Sequence, residues 1–142
     1  MINLDFLCME TAQQMVACKG KPSDKENVAT KALGVLLDNG PYGLMLYLET
    51  QSNTRDIAKH YQRSLLTLCA ESTIVKYLTS NEPPNGANFD DVTKWLRSLA
   101  QDLDSYLFAK QLWQQTLTYA RYHAKAIEEP TGSTQVDDQE ST

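Results

Sequence analysis

Residues 105–127 leave the chain little choice of geometry. Ala109, Leu112, Trp113, Thr116, Ala120, Ala124 and Ile127 recur at intervals of three and four. Only an α-helix, advancing about 100° per residue, gathers that spacing on one face. The same winding places Lys110, Gln114, Thr118, Arg121 and Lys125 on another face, and no Asp or Glu interrupts the segment. One side of this helix packs, and the other presents positive charge.

The same rhythm runs through most of the chain, with no sustained alternation of the kind that marks strands. The expected fold is all-α, a compact bundle of about six helices. A first helix over 5–18 is broken by Lys19-Gly20-Lys21-Pro22-Ser23, and Ser23 or Asp24 caps a second that turns Val28, Ala32, Val35 and Leu36 inward. Asn39-Gly40-Pro41 ends it, since Gly suits the residue after a helix and Pro the first turn of the next. Residues 41–50 then form a short apolar third helix containing Leu44, Met45, Leu46, Tyr47 and Leu48. Asn53 or Thr54 caps a long fourth helix reaching about residue 78, with Ile57, Tyr61, Leu65, Leu68 and Val75 buried. Residues 79–88 read as a loop, and Asp90 or Asp91 opens a fifth helix with Val92, Trp95, Leu96 and Leu99 inside.

Charge sets the domain boundary. The formal net charge is −5, but five of the 18 acids and none of the 13 Lys/Arg follow Ile127, which leaves thirteen of each in residues 1–127 and a neutral body. The expected organisation is one helical domain over 1–128 and a disordered acidic tail over 129–142, where too little is apolar to drive burial. Cys8, Cys18 and Cys69 lack C-x-x-C spacing and read as small buried groups in a reducing compartment. No stretch has the roughly 18 apolar residues a membrane span needs, nor does residue 1 onward look like a signal peptide, so a cytoplasmic location is expected.

Catalytic motifs are missing: no glycine-rich phosphate loop, no G-x-S-x-G and no H-E-x-x-H occurs. His60, with Asp56 one turn before it, and His123 are the residues a metal site would need. With only two His in the chain they read as interfacial residues, and neither metal nor cofactor is expected. The chain is expected not to be an enzyme.

Two basic rows remain. Arg55, Lys59 and Arg63 step by four along one helix, away from its apolar face, and Lys110, Arg121 and Lys125 form the second row. Gln62, Gln114 and Gln115, with Tyr119 and Tyr122, add hydrogen-bonding and stacking groups suited to a nucleic-acid backbone. Such rows are also what ordinary solvated helix faces look like. Lys19, Lys21 and Lys25 make a smaller cluster in the first loop, which could contact phosphate, although exposure to solvent is the commoner account of such lysines.

Two segments carry a family resemblance. Leu36-Leu37-Asp38-Asn39-Gly40-Pro41-Tyr42-Gly43-Leu44-Met45-Leu46-Tyr47-Leu48, and the run from Asp104 through Thr118-Tyr119-Ala120-Arg121-Tyr122-His123-Ala124-Lys125-Ala126, resemble the small all-helical subunit of type III-B CRISPR effector (Cmr) complexes. The resemblance implies a non-catalytic subunit that stacks with copies of itself and with other effector subunits in a filament. It also implies that the chain lines the groove where guide RNA pairs with target RNA. Contacts there would fall on backbone phosphates, independent of sequence. The alternative is a helical adaptor that binds another protein through an apolar patch around Trp95, Trp113 or Tyr47, its basic faces merely solvated.

Overall fold

The structure, a computed structural model, describes residues 3–78 and 82–139 of the chain. Every regular element among them is a helix: α1 Leu4–Val16, α2 Pro22–Thr50, α3 Arg55–Ala70, α4 Ser72–Val75, α5 Phe89–Ala100 and α6 Leu103–Gln139. The fold is the all-α bundle expected from the apolar spacing. The acidic tail expected over 129–142 lies outside the residues whose side chains are described.

Helix starts follow local chemistry more closely than the sequence reading did. Asn3 caps α1 by accepting the Phe6 N–H at 2.9 Å. α2 begins at Pro22 with Lys21 before it, so Ser23 and Asp24 fall inside the first turn instead of capping it. A proline already has the φ a first helical residue needs and lacks the N–H that would go unpaired. Asn88, not Asp90 or Asp91, caps α5 and accepts the Asp90 N–H at 2.9 Å. The long fourth helix expected to residue 78 stops at Ala70. Glu71 leaves helical geometry with ψ at 134°, and its carboxylate accepts the Thr73 N–H at 2.8 Å to start α4.

α2 has one residue of non-helical geometry, Gly40, at φ +81° and ψ −176°, followed by Pro41. Side chains larger than hydrogen are essentially excluded from that region of backbone space. The effect is a fold-back. Lys25 and Met45 would stand about 30 Å apart in a straight helix, yet their carbonyls meet the neighbouring residues Tyr61 and Gln62 of α3. The two helices expected over 23–39 and 41–50 are therefore the two arms of α2.

α6 and α3 each pack along α1 and α2 and meet one another only slightly, so they stand across the core. Trp113 spans that gap, fully buried, its Nε1 donating to the Leu65 carbonyl at 3.1 Å. The same core holds Met15, Leu36, Leu44, Met45, Leu48 and Leu65, each worth about 1.5–3 kcal/mol of transfer free energy when fully buried. α5 adds Val92, Trp95, Leu96 and Leu99 against α6 and α2, the four residues expected. Two details of α6 differ from the sequence reading: Leu117 is fully buried although it sits at the edge of the apolar stripe, and Ile127, in line with the stripe, is 41% exposed.

Polar groups tie the helices together. Lys25 is only 7% exposed, and its ammonium donates to the Val16 carbonyl at 2.8 Å, placing a cation at the C-terminal end of α1 where the helix dipole favours it. It was expected to be a solvated loop lysine. Burial raises the Tyr61 phenol above its usual range, and that phenol donates to the Lys25 carbonyl at 2.9 Å.

Candidate nucleic-acid interface

The six basic residues singled out by spacing have different fates. On α3, Arg55 and Arg63 are exposed and form no salt bridge among the described residues. Lys59 between them is held: its ammonium lies 2.8 Å from Glu49 Oε1 and 3.0 Å from Gln62 Oε1. Gln62 is fully buried and donates onward to Glu49 at 3.3 Å. Burial alone would raise the Glu49 carboxyl. The Lys59 and Gln62 hydrogen bonds, with the charges of Lys59 and Arg55, bring it below its ordinary value. Lys59 is thus a bolt between α3 and the second arm of α2, and Gln62 is core instead of a surface donor.

On α6, Lys125 is exposed, while Lys110 and Arg121 are half-buried. The Arg121 guanidinium sits 5.4 Å from the centre of the exposed Tyr122 ring, a cation–π geometry that holds the side chain near the surface. Tyr119 and Gln115, expected beside this row as nucleic-acid contacts, turn towards α1 instead. Tyr119 donates to Asp5, which raises its phenol, and Gln115 donates to Asp5 at 3.4 Å.

The two rows belong to helices on different sides of the core, so their outward faces look in different directions and do not line one groove of a single copy. What the structure gathers instead is a cleft of about 410 Å³ over α3. Lys19 from the α1–α2 turn joins Arg55, Lys59, His60 and Arg63 there, with Asp56 as the acid in the lining. No family model, curated protein or solved structure matches the chain.

Two close approaches build the cleft. At Gly20, φ +139°, an added Cβ would lie 2.9 Å from Ile57 Cδ1, so only glycine lets this turn press onto the start of α3 and bring Lys19 beside Arg55. At Gly86 an added Cβ would lie 3.1 Å from Arg63 Cγ, which shows the 82–88 segment packed on the aliphatic stem of Arg63. Lys19 is exposed, and the sequence alone leaves it between solvent and a phosphate contact. Nothing in the spacing of residues 19 and 55 could have joined them, because the contact depends on the turn's direction.

His60 has its Nε2 2.9 Å from the Gln14 carbonyl, a link between α3 and α1, and His123 is exposed on α6. Among the described residues no group of three or more His, Cys, Asp or Glu side chains is placed to hold a metal ion. Cys8 and Cys69 are buried and Cys18 partly so; burial pushes the Cys69 thiol up to about 12. No helix among the described residues is long and apolar enough to cross a membrane.

Proposed function

We propose that the chain is a non-catalytic RNA-binding subunit of an RNA-guided effector complex of the type III-B kind. On this reading it sits among copies of itself and larger subunits and holds guide or target RNA by its phosphates. The observation that carries it is that Arg55, Arg63 and Lys125 are exposed and Arg121 is half-buried beside the exposed Tyr122 ring, with none of the four in a salt bridge to a carboxylate among the described residues. Each such cation can neutralise one phosphate and release its counterion, whatever the base sequence. Lys59 and Lys110 are the weaker members of the two rows, the first tied to Glu49 and the second half-buried.

The divergence of the two rows suits an assembly better than a solitary RNA-binding domain. Each copy offers one row on α3 and another on α6, and a multi-subunit groove draws on several weak contacts through effective concentration. Leu37, Tyr42, Leu103 and Leu107 are exposed on α2 and α6. They supply apolar surface for protein neighbours, which the adaptor reading also requires; the patch it expected is not available, since Trp95 and Trp113 are buried in the core and Tyr47 is half-buried.

Purification of the tagged chain from its native cells tests the reading. Guide RNA and large effector subunits should accompany the chain, and rising salt should strip the RNA. A chain that arrives with protein partners and no RNA returns the adaptor reading in its place.

A further inference from the structure

Arg55, Lys19 and Arg63 do not form a straight track. Lys19 comes from the α1–α2 turn, and the two arginines stand eight residues, about 12 Å, apart along α3. All three border one hollow, with the Gly20 turn pressed onto Ile57 and the Gly86 segment packed on the stem of Arg63. A flat row of cations follows successive phosphodiesters along a strand, whereas cations around a hollow suit a single, more highly charged group.

We infer that this cleft receives the phosphorylated end of an RNA strand, with Lys19, Arg55 and Arg63 closing on a terminal phosphomonoester. The inference rests on the reading of the chain as an RNA-binding subunit. A phosphomonoester carries about −1.5 to −2 charges at neutral pH and three strong acceptor oxygens, which matches a hollow bordered by several cations better than an internal diester with one charge. Asp56, which would only repel a bare phosphate, is in the same lining and accepts from a sugar hydroxyl of the terminal nucleotide. The neighbouring cleft of about 330 Å³ shares Lys19, Arg55 and Asp56 and adds a second acid, Asp24, with Ser52, Asn53 and Thr54 just before and at the start of α3. Thr54 makes no side-chain cap there, so the positive end of the helix adds to the field.

The test is fluorescence anisotropy of one short single-stranded oligoribonucleotide in 5′-hydroxyl, 5′-phosphate and 3′-phosphate forms. One phosphorylated form should bind about tenfold more tightly than the hydroxyl-ended strand, the yield of one charge-assisted contact beyond the common backbone. Lys19→Ala with Arg63→Ala should abolish that preference and leave the helical circular dichroism unchanged. Equal affinity for all three strands, or a preference that survives the double variant, overturns the inference and leaves the RNA reading standing. Absence of binding to any strand overturns both. If adenosine 5′-monophosphate alone matches the phosphorylated strand in affinity, the occupant is a free nucleotide and the RNA-end inference is wrong.

Discussion

Tyr106 on α6 accepts the backbone N–H of Tyr42 at 3.2 Å, across the point where α2 folds back. The second arm of α2 starts afresh after Gly40, and the first amides of any helix lack partners within it. Pro41 removes one such donor by having no N–H, and the Tyr106 hydroxyl satisfies the next. Tyr106→Phe should cost about 1 kcal/mol, an ordinary net hydrogen bond. Gly40→Ala should cost more, about 1–3 kcal/mol, because it forces a Cβ into backbone space reserved for glycine. Urea unfolding of both variants checks the order, and an unaffected Gly40→Ala protein would mean that the arms do not fold back there.

Glu49 gives a pH dependence of known sign. Its carboxyl titrates below its ordinary value in the folded chain. Its contribution is therefore present above the unfolded pKa and lost as pH falls through the folded one. Glu49→Gln should lower stability at pH 7 by about 1 kcal/mol, since Lys59 is left partly buried without its counter-ion. The difference from wild type should shrink below about pH 4, near the ordinary range for glutamate. Thermal melts across pH 3 to 7 provide the comparison, and a constant difference would place Glu49 outside the titration.

Lys25 should behave unlike its neighbours. Lys25→Met keeps the apolar stem but leaves the Val16 carbonyl without its donor, a loss of about 1–3 kcal/mol for a buried polar group. Lys19→Met and Lys21→Met, both exposed and without such a bond among the described residues, should stay within about 0.5 kcal/mol. Chemical denaturation of the three single variants reads this difference directly.

Trp113→Ala should be the most damaging of these changes, at about 3–5 kcal/mol. It opens a cavity where α3 and α6 face one another and removes the indole hydrogen bond to the Leu65 carbonyl. Trp113→Phe should lie between that value and wild type. Equal stability of all three proteins in urea would move Trp113 out of the core.

Arg121→Ala with Lys125→Ala should lower the slope of log affinity against log salt by roughly one unit for each lost phosphate contact, measured on purified assemblies with RNAs of unrelated sequence. The fall should be similar for every RNA, because phosphates carry no base information. An unchanged slope would make the α6 row an ordinary solvated face.

The helices were legible because apolar spacing is a local property, and so was the break at Gly40-Pro41, which residue type announces. The end of α3 at Glu71 was not. No Gly or Pro marks it, and the chain turns there because a glutamate caps the next turn through Thr73. The anchoring of Lys25 and Lys59 was hidden for a related reason. Lysine is commonly solvated, and what buries these two is a partner brought by folding: Val16 from α1 for one, Glu49 from the second arm of α2 for the other. Ile127 followed the apolar stripe perfectly well, but a stripe is buried only as far as another helix lies beneath it.

The pairing of α1 with α6 has a consequence for how the chain is made. The Cys8 thiol reaches the Leu112 carbonyl and Asp5 meets Tyr119, partners separated by 104 and 114 positions. At ordinary rates of translation α1 leaves the ribosome roughly 5–20 seconds before the helix that covers it. During that interval the apolar sides of α1, α2 and α3 have no Trp113 between them, so an interrupted nascent chain remains open and recognisable to chaperones and proteases. Burial of Trp113 then marks, at the level of synthesis, the moment when the polypeptide becomes a finished part.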